Sequence, residues 1–181
     1  MSVLKLVNFS LTHFLKYSRY AGPYRGSKFS LLEGGIRIPA IISWPGTLPE
    51  NEVRDQLAGN VDWLPTLAEL CNIVLPTRKI DGKSIVQAIK SSNAPSPHNV
   101  FFWKSGGGSD PQWAVRKGNW KLVHNPQLGK FSEAETSENG VYLFNMLNDV
   151  GEKKNEAEKY PDVVMDLTKR YEAWINEVAT Q

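Results

Sequence analysis

The chain has 181 residues, a length that is typical of one domain with a substantial core and too short for two large domains. The composition, with 41% hydrophobic and 22% charged residues, is that of an ordinary globular protein and excludes wholesale disorder, collagen-like repeats and a coiled coil. Because 21 basic residues face 19 acidic ones, the net charge is +2, and no overall field favours nucleic acid or an anionic membrane. A single cysteine, Cys71, excludes an intramolecular disulfide and a multi-cysteine zinc site.

Residues 1–20 form the first segment, and their apolar side chains recur at helical spacing. These apolar residues are Leu4, Val7, Leu11, Phe14 and Leu15. Polar and basic residues interrupt them, which is typical of an amphipathic helix and not of a membrane span. We therefore expect an atypical N-terminal extension without a secretory signal, and the compartment stays open.

The next segment predicts a loop followed by a strand. Glycine and proline residues favour irregular structure over residues 21–28. Residues 36–44 are β-branched and apolar on both faces, which is typical of a strand buried between neighbouring elements. Pro39 indicates a sheet edge or a bulge in this strand, and an edge without its neighbours would allow self-association.

A helix is predicted after Asp62, which is a suitable N-cap. Its apolar residues are expected to face the core because they lie at helical spacing. They are Leu64, Leu67, Ala68 and Cys71. A second, short helix is predicted over residues 85–90, and a polar linker with prolines marks a break in composition near residue 95.

Short aromatic or β-branched runs predict antiparallel strands in the C-terminal half. They cover residues 100–103, 112–116, 120–124 and 141–146, with a hairpin at Lys117-Gly118-Asn119. A long helix is predicted from Pro161, with an apolar stripe from Val164 to Val178 and Asp166 paired with Arg170 on its outer side. Strands followed by a packing helix predict an α+β unit.

Arg25-Gly26-Ser27-Lys28, followed by Glu33-Gly34-Gly35, is the stretch most informative about function. Glycine lets backbone approach a ligand and a lysine ammonium is a cationic donor, so the combination suits an anionic group. From these residues alone, a solvated turn in which Lys28 has no role is the simpler interpretation. For Arg25 and Arg37, we expect a salt bridge to Glu33 or to another core carboxylate.

Five segments carry a family resemblance across residues 21–178. They are residues 22–46, 61–70, 80–84, 113–122 and 143–149. In sequence and in order they resemble the C-terminal portion of the type I sulfatases, the arylsulfatase A-like family that includes the N-acetylgalactosamine-6-sulfatases. One position differs, because Val150 stands where the family usually has proline.

The resemblance implies an α/β fold of the sulfatase and alkaline phosphatase kind, of which this chain carries the C-terminal part, α+β as truncated. Residues 21–95 would be the C-terminal part of the α/β domain. Residues 96–181 would be a small C-terminal subdomain, in which antiparallel strands are packed by the long helix. The implied reaction is sulfuric ester hydrolysis, with a sulfate ester as substrate and neither nucleic acid nor membrane as partner.

The resemblance also implies a catalytic role for Lys28, which looks like the lysine that contacts a sulfate oxygen. The family's nucleophile is a formylglycine made in a Cys/Ser-x-Pro-x-Arg motif beside a calcium ion, and this chain has no such motif. We therefore expect calcium and formylglycine in full-length relatives only, with no metal ligand, no cofactor and no unaided activity here. Cys71 is expected to be a buried structural thiol. His13, His98 and His124 show no ligand spacing.

An alternative function is that of a non-catalytic module that binds sulfated or anionic carbohydrate. It rests on tryptophans interleaved with basic residues, a combination that binds sugars or single-stranded nucleic acid. These residues are Trp103, Trp113 and Trp120 with Lys104, Arg116, Lys117 and Lys121. Tryptophans that alternate along short strands are also typical of sheet packing, so two or more exposed indoles beside the lysines would favour the binding module.

Overall fold

The computed structural model describes residues 21–107, 109–126 and 140–180. The amphipathic helix predicted for residues 1–20 lies outside these ranges, as does His13. The chain forms two compact units, one from residues 38–99 and the other from residues 21–37 together with residues 100–180. The domain boundary predicted near residue 95 stays a prediction. Within the described ranges, no helix has the length and apolar character that crossing a membrane requires.

The elements follow the chain in a simple order. The helices are α1 (Glu33–Ile36), α2 (Trp63–Leu70), α3 (Val86–Lys90) and α4 (Pro161–Ala179), and a 3-10 turn covers Asn60–Asp62. The strands are β1 (Val100–Ser105), β2 (Gln112–Lys117), β3 (Trp120–His124) and β4 (Val141–Asn145). The four strands predicted in the C-terminal half, the second short helix and the long C-terminal helix are therefore confirmed.

The four strands form one antiparallel sheet in the order β1-β2-β3-β4. The hairpin predicted between β2 and β3 is confirmed, because Lys117 pairs with Trp120 across a two-residue loop. Gly118 in this loop has φ +57°, a left-handed conformation that tight hairpins require and glycine adopts without steric penalty. This sheet with its helix is the mixed α/β architecture that the sulfatase resemblance implies.

Helix α4 covers one face of the sheet. Leu167 and Tyr171 of this helix are buried against Val115, Leu122 and Leu143 of the strands. Aromatic rings extend the contact, and they include Trp113 stacked on Tyr171 with 4.2 Å between centroids and Phe102 stacked on Trp174 at 5.1 Å. The outer side of α4 carries the predicted pair, in which Arg170 Nε lies 3.0 Å from an Asp166 oxygen.

The opposite face of the sheet is covered by residues 25–36, which we call the Lys28 loop. Leu31 and Leu32 of this loop are buried in one cluster with strand residues. The strand residues and their neighbour in the cluster are Ala114, Val123, Tyr142, Phe144 and Met146. The sheet is therefore buried on both faces, which positions the loop that carries Lys28.

The strand predicted for residues 36–44 is wrong. Ile36 ends α1, and residues 37–44 have no regular secondary structure. A strand needs a neighbour for its backbone hydrogen bonds, and the described part of the chain provides none for this segment. The side chains of Ile38 and Ile41 are consequently 66% and 57% exposed. The exposed apolar surface that the sequence predicts is therefore present, although the segment does not form the edge of a sheet.

The apolar face predicted for α2 is also oriented differently from the expectation. Leu64 and Leu67 are about half exposed and Cys71 is exposed, so the prediction of a buried thiol is wrong. The buried residues of α2 are Pro65, Thr66 and Ala68, so Ala68 is the one member of the predicted stripe that is buried. The reason is a hydrogen bond of 3.0 Å from the amide of Ile85 to Thr66 Oγ1, which turns the buried side of α2 toward α3.

Candidate functional site

Lys28 lies at the tip of a tight turn formed by residues 27–30, which we call the Lys28 turn. The amide of Ser30 donates to the carbonyl of Ser27 at 2.9 Å and closes the turn. Phe29 has φ +76°, a left-handed conformation that is uncommon for a bulky residue. Such a backbone persists only where its surroundings hold it, so the Lys28 turn is a constrained structure.

The Lys28 side chain is exposed, and its ammonium lies 5.0 Å from the centroid of the Phe29 ring. A cation at this distance over an aromatic face is attracted by the ring's electrons. The structure therefore places the positive charge at the surface, where an anion can reach it. The contact of Lys28 with sulfate stays a prediction.

The glycines of the Lys28 loop allow the loop to pack closely against itself. Gly26 has φ +87°, and a Cβ there would lie 2.9 Å from the Cβ of Leu32. A Cβ on Gly35 would overlap the carbonyl oxygen of Ser30. These glycines therefore fix the compact shape of the loop, a role that differs from the expected approach of backbone to a ligand.

A buried group of three charged side chains lies between the Lys28 loop and the sheet. Lys121 of β3 donates to Glu33 Oε1 at 2.8 Å and to Glu152 Oε1 at 2.7 Å. The side chains of Lys121 and Glu152 are 0% exposed and that of Glu33 is 3% exposed. We call these three residues the ionic cluster.

Further hydrogen bonds tie the ionic cluster to the Lys28 loop. The amide of Glu33 donates to Glu152 Oε2 at 2.6 Å. Arg37 Nε lies 2.6 Å from Glu33 Oε2, which confirms the salt bridge expected for Arg37. Arg25 donates to the backbone carbonyl of Glu152 at 2.8 Å, and the salt bridge expected for Arg25 stays a prediction.

Burial and the neighbouring positive charges shift the pKa values of the two carboxyl groups of the ionic cluster in opposite directions. Burial by itself would raise the pKa of Glu33, but Lys121 and Arg37 together hold that pKa below its ordinary value of 4.5. For Glu152, burial raises the pKa by more than Lys121 lowers it, and the negative charge of Glu33 raises it further. The pKa of Glu152 therefore lies above 4.5. Glu33 is therefore the ionised partner of Lys121, and Glu152 takes up a proton first on acidification.

A second contact between the sheet and the Lys28 loop is made by Gln112 at the start of β2. Its side-chain amide donates to the carbonyl of Phe29 at 3.0 Å, and Gln112 is 7% exposed. This bond holds the left-handed residue of the Lys28 turn directly. The Lys28 turn is thus attached to the sheet at Phe29, immediately after the lysine.

The three tryptophans of the alternative binding module are partly buried. Trp103 packs against the cluster below the Lys28 loop, and Trp113 and Trp120 pack against the cluster below α4. Trp113 is also stacked between Tyr171 and His124, at centroid distances of 4.2 and 5.2 Å. The flat exposure of two or more indoles that would favour a binding module is not found.

The histidines in the described ranges are structural. His98 Nε2 lies 2.7 Å from Oδ1 of the fully buried Asp62, and His124 Nε2 lies 2.6 Å from Asp110 Oδ1. Asp62 also accepts from the amide of Gly59 at 2.8 Å, so its carboxylate organises the turn before α2. Both histidines are therefore hydrogen-bonded to aspartate side chains.

The residues that the structure describes do not fit a calcium ion. Calcium takes six to eight oxygen ligands, usually from clustered carboxylates. No group of three or more histidine, cysteine, aspartate or glutamate side chains within the described ranges could hold a metal ion. The two carboxylates that do lie together, Glu33 and Glu152, are occupied by Lys121.

Lys121, Glu152 and Gln112 are the functional candidates that sequence reasoning missed. In the sequence, Lys121 is one of the basic residues interleaved with tryptophans, a pattern that indicates a cation at the surface. One signal was present: residues alternate between the two faces of a strand, so Lys121 shares a face with Val123, which points into a core. A lysine on an apolar face requires a buried carboxylate partner.

Comparison with known proteins identifies the relatives of this chain. Residues 27–177 match the family described as N-sulphoglucosamine sulphohydrolase, C-terminal. A sulfatase of Formosa agariphila is 30% identical over 168 residues, which cover 84% of this chain and 29% of that protein. The family resemblance expected from the sequence is confirmed.

Solved structures show the same fold. The crystal structure of Ps i-CgsB in complex with k-i-k-neocarrahexaose has a TM-score of 0.69 at 22% identity, over 84% of this chain and 32% of that one. A further structure, solved with its substrate D-glucosamine-2-N,6-O-disulfate, has a TM-score of 0.58 at 17% identity, over 80% of this chain and 29% of that one. The chain spans less than a third of the length of these relatives.

Replacing Lys121 by methionine should destabilise the fold strongly, since it leaves Glu33 and Glu152 buried without their partner. Breaking a buried ion pair on one side costs about 3–5 kcal/mol. The free energy of unfolding in urea measures the loss. Lys117→Met is the matched control, because Lys117 pairs with Asp166 at the surface, and it should leave the unfolding free energy nearly unchanged. Equal effects of the two substitutions would contradict the assigned role of Lys121.

Stability should depend on pH in two opposite steps. Because the folded pKa of Glu152 is raised, its ionisation opposes folding, and protonation between neutral pH and 4.5 should add stability. Because the folded pKa of Glu33 is lowered, its contribution is present above 4.5 and is lost as pH falls through that lower value. Urea unfolding at pH 7, 4.5 and 3 tests both steps. The first step should be absent in Glu152→Gln, and an equal first step in that variant would refute its assignment.

Proposed function

Because this chain belongs to the N-sulphoglucosamine sulphohydrolase C-terminal family, we propose that it is the C-terminal portion of a sulfuric ester hydrolase. Its share of the reaction is to present Lys28 to the sulfate group. Lys28 lies within the matched residues, at 27–177. The observation that carries the proposal is the exposed ammonium of Lys28 on a turn whose backbone is held by the sheet.

The chemistry of Lys28 follows from its charge and exposure. An ammonium donates hydrogen bonds to sulfate oxygens, which carry negative charge in the ester and in the transition state of its hydrolysis. A donor that is fixed in advance stabilises this charge without having to reorganise as the ester bond breaks. Lys28 therefore binds and orients the sulfate group, and it performs no covalent step itself.

The covalent step requires groups that these residues do not supply. In the family, formylglycine supplies the nucleophile and calcium supplies a positive charge beside it. The 181 residues contain no Cys/Ser-x-Pro-x-Arg motif, and the described residues do not fit calcium. We infer that this polypeptide on its own binds sulfate without hydrolysing its esters.

The proposed substrate class is sulfated carbohydrate. Two proteins of the same fold bind such ligands or related ones, namely k-i-k-neocarrahexaose and D-glucosamine-2-N,6-O-disulfate. An anionic sugar is also the ligand of the alternative binding module, but the packing of its tryptophans gives that alternative less support. Self-association remains part of the proposal, and the exposed side chains of Ile38 and Ile41 are the surface that supports it.

Sulfate should bind to the Lys28 turn weakly and in a salt-sensitive manner. An exposed charge is screened over about 8 Å at physiological ionic strength, so the dissociation constant should be millimolar or weaker. Titrating isotope-labelled protein with sodium sulfate, at constant ionic strength, should shift the amide signals of residues 27–30. Lys28→Ala should abolish these shifts and Lys117→Ala should retain them. Shifts confined to Trp113, Lys117 and Trp120 would instead support the binding module.

The isolated polypeptide should not hydrolyse aryl sulfates, because its sequence lacks the nucleophile motif and the residues that the structure describes do not fit calcium. Release of nitrophenol from nitrophenyl sulfate, with and without added calcium, measures this activity. Lys28→Ala is the control that separates this chain's activity from a contaminating sulfatase. Calcium-dependent release that Lys28→Ala abolishes would show that the polypeptide is catalytically complete.

A further inference from the structure

We propose that Gln112, Lys121 and Glu152 are positioning residues that set where the Lys28 turn stands on the sheet, acting through Phe29 and Glu33. This inference rests on the proposed function, since it assigns the machinery that orients the sulfate-binding lysine. Nothing in the sequence pattern of the Lys28 loop itself points to these three residues.

The sheet carries Gln112 and Lys121, the two strand residues that hold the Lys28 loop, on one face. Arg116 pairs with Lys121 across β2 and β3, so these two residues lie on the same face of the sheet. Gln112 lies on that face as well, because it stands an even number of positions before Arg116 on β2. This is the face that the Lys28 loop covers, through Leu31 and Leu32.

The ionic cluster fixes the end of the Lys28 loop. Glu33 is held twice, since its carboxylate accepts from Lys121 at 2.8 Å and its amide donates to Glu152 at 2.6 Å. Arg25, at the start of the loop, donates to the carbonyl of Glu152 at 2.8 Å. Glu152 thus holds both ends of the Lys28 loop, and Lys121 holds Glu152.

Gln112 fixes the middle of the loop. Its amide donates to the carbonyl of Phe29, the residue directly after Lys28, at 3.0 Å. Phe29 has φ +76°, which a phenylalanine keeps only while its surroundings hold it. With the ends held by Glu152 and the middle held by Gln112, the backbone of Lys28 has a defined position above the sheet.

A role in positioning explains why the ionic cluster is charged. Apolar side chains of similar volume often stabilise a protein as well as a buried ion pair does, so stability alone does not require charge. The hydrogen bonds that Lys121 donates to the two carboxylates are directional, whereas apolar contacts are not. The cluster therefore provides a fixed geometry between the Lys28 loop and β3.

The test removes charge and keeps volume. In Glu33→Gln/Lys121→Met/Glu152→Gln all three charges of the ionic cluster are removed together, and Arg37, which loses Glu33 as its partner, has a side chain that is 39% exposed. The variant should therefore fold with a melting temperature close to that of the original protein. We expect the signature of the positive φ of Phe29, its one-bond Cα–Hα coupling constant, to be lost. We also expect sodium sulfate to bind at the Lys28 turn at least about fivefold more weakly. An unchanged coupling constant with unchanged sulfate affinity would overturn the proposal.

A second variant covers the case in which the triple variant does not fold. Gln112→Leu removes the side-chain hydrogen bond to Phe29 and leaves the ionic cluster intact, and Gln87→Leu, on the exposed side of α3, is the matched control. The proposal requires Gln112→Leu to alter the Phe29 coupling constant and Gln87→Leu to preserve it, and it fails if both preserve it. If sulfate shifts no signal in the original protein, the proposed function fails, while the coupling constant still decides whether these residues position the turn.

Discussion

The burial of one ammonium group, that of Lys121, is the constraint on which the sheet unit depends. A lysine with no exposed side-chain surface requires carboxylate partners, and Glu33 and Glu152 supply them. One partner precedes the first strand and the other follows the last strand. The ammonium therefore joins two segments without strand structure to an inner strand of the sheet, and both segments acquire defined positions.

The secondary structure of the sheet unit could be predicted from the sequence because its signals are local. Gly118 in a two-residue loop predicts the hairpin, and Pro161 predicts the start of α4. The ionic cluster could not be predicted in this way, since Lys121 is 88 positions from Glu33 and 31 positions from Glu152. No periodicity within one element reports a contact over such a separation.

Two of the wrong predictions, the strand at residues 36–44 and the inward-facing leucines of α2, share one physical origin. An apolar pattern shows which side chains are stable when covered, and it does not show that this chain covers them. The side chains of Ile38, Ile41, Leu64 and Leu67 are between 49% and 66% exposed. A segment that is apolar on both faces is what part of a larger α/β fold would contain, in agreement with the proposed function.

The exposed position of Lys28 explains why geometry matters more than charge at this site. A flexible lysine at the surface contributes little binding energy, because water and salt screen it and its rotamers must be ordered. The ring of Phe29, 5.0 Å from the ammonium, restricts that freedom, and the same residue's left-handed backbone places the ring there. In the proposed function, selectivity for sulfate therefore requires further donors around Lys28.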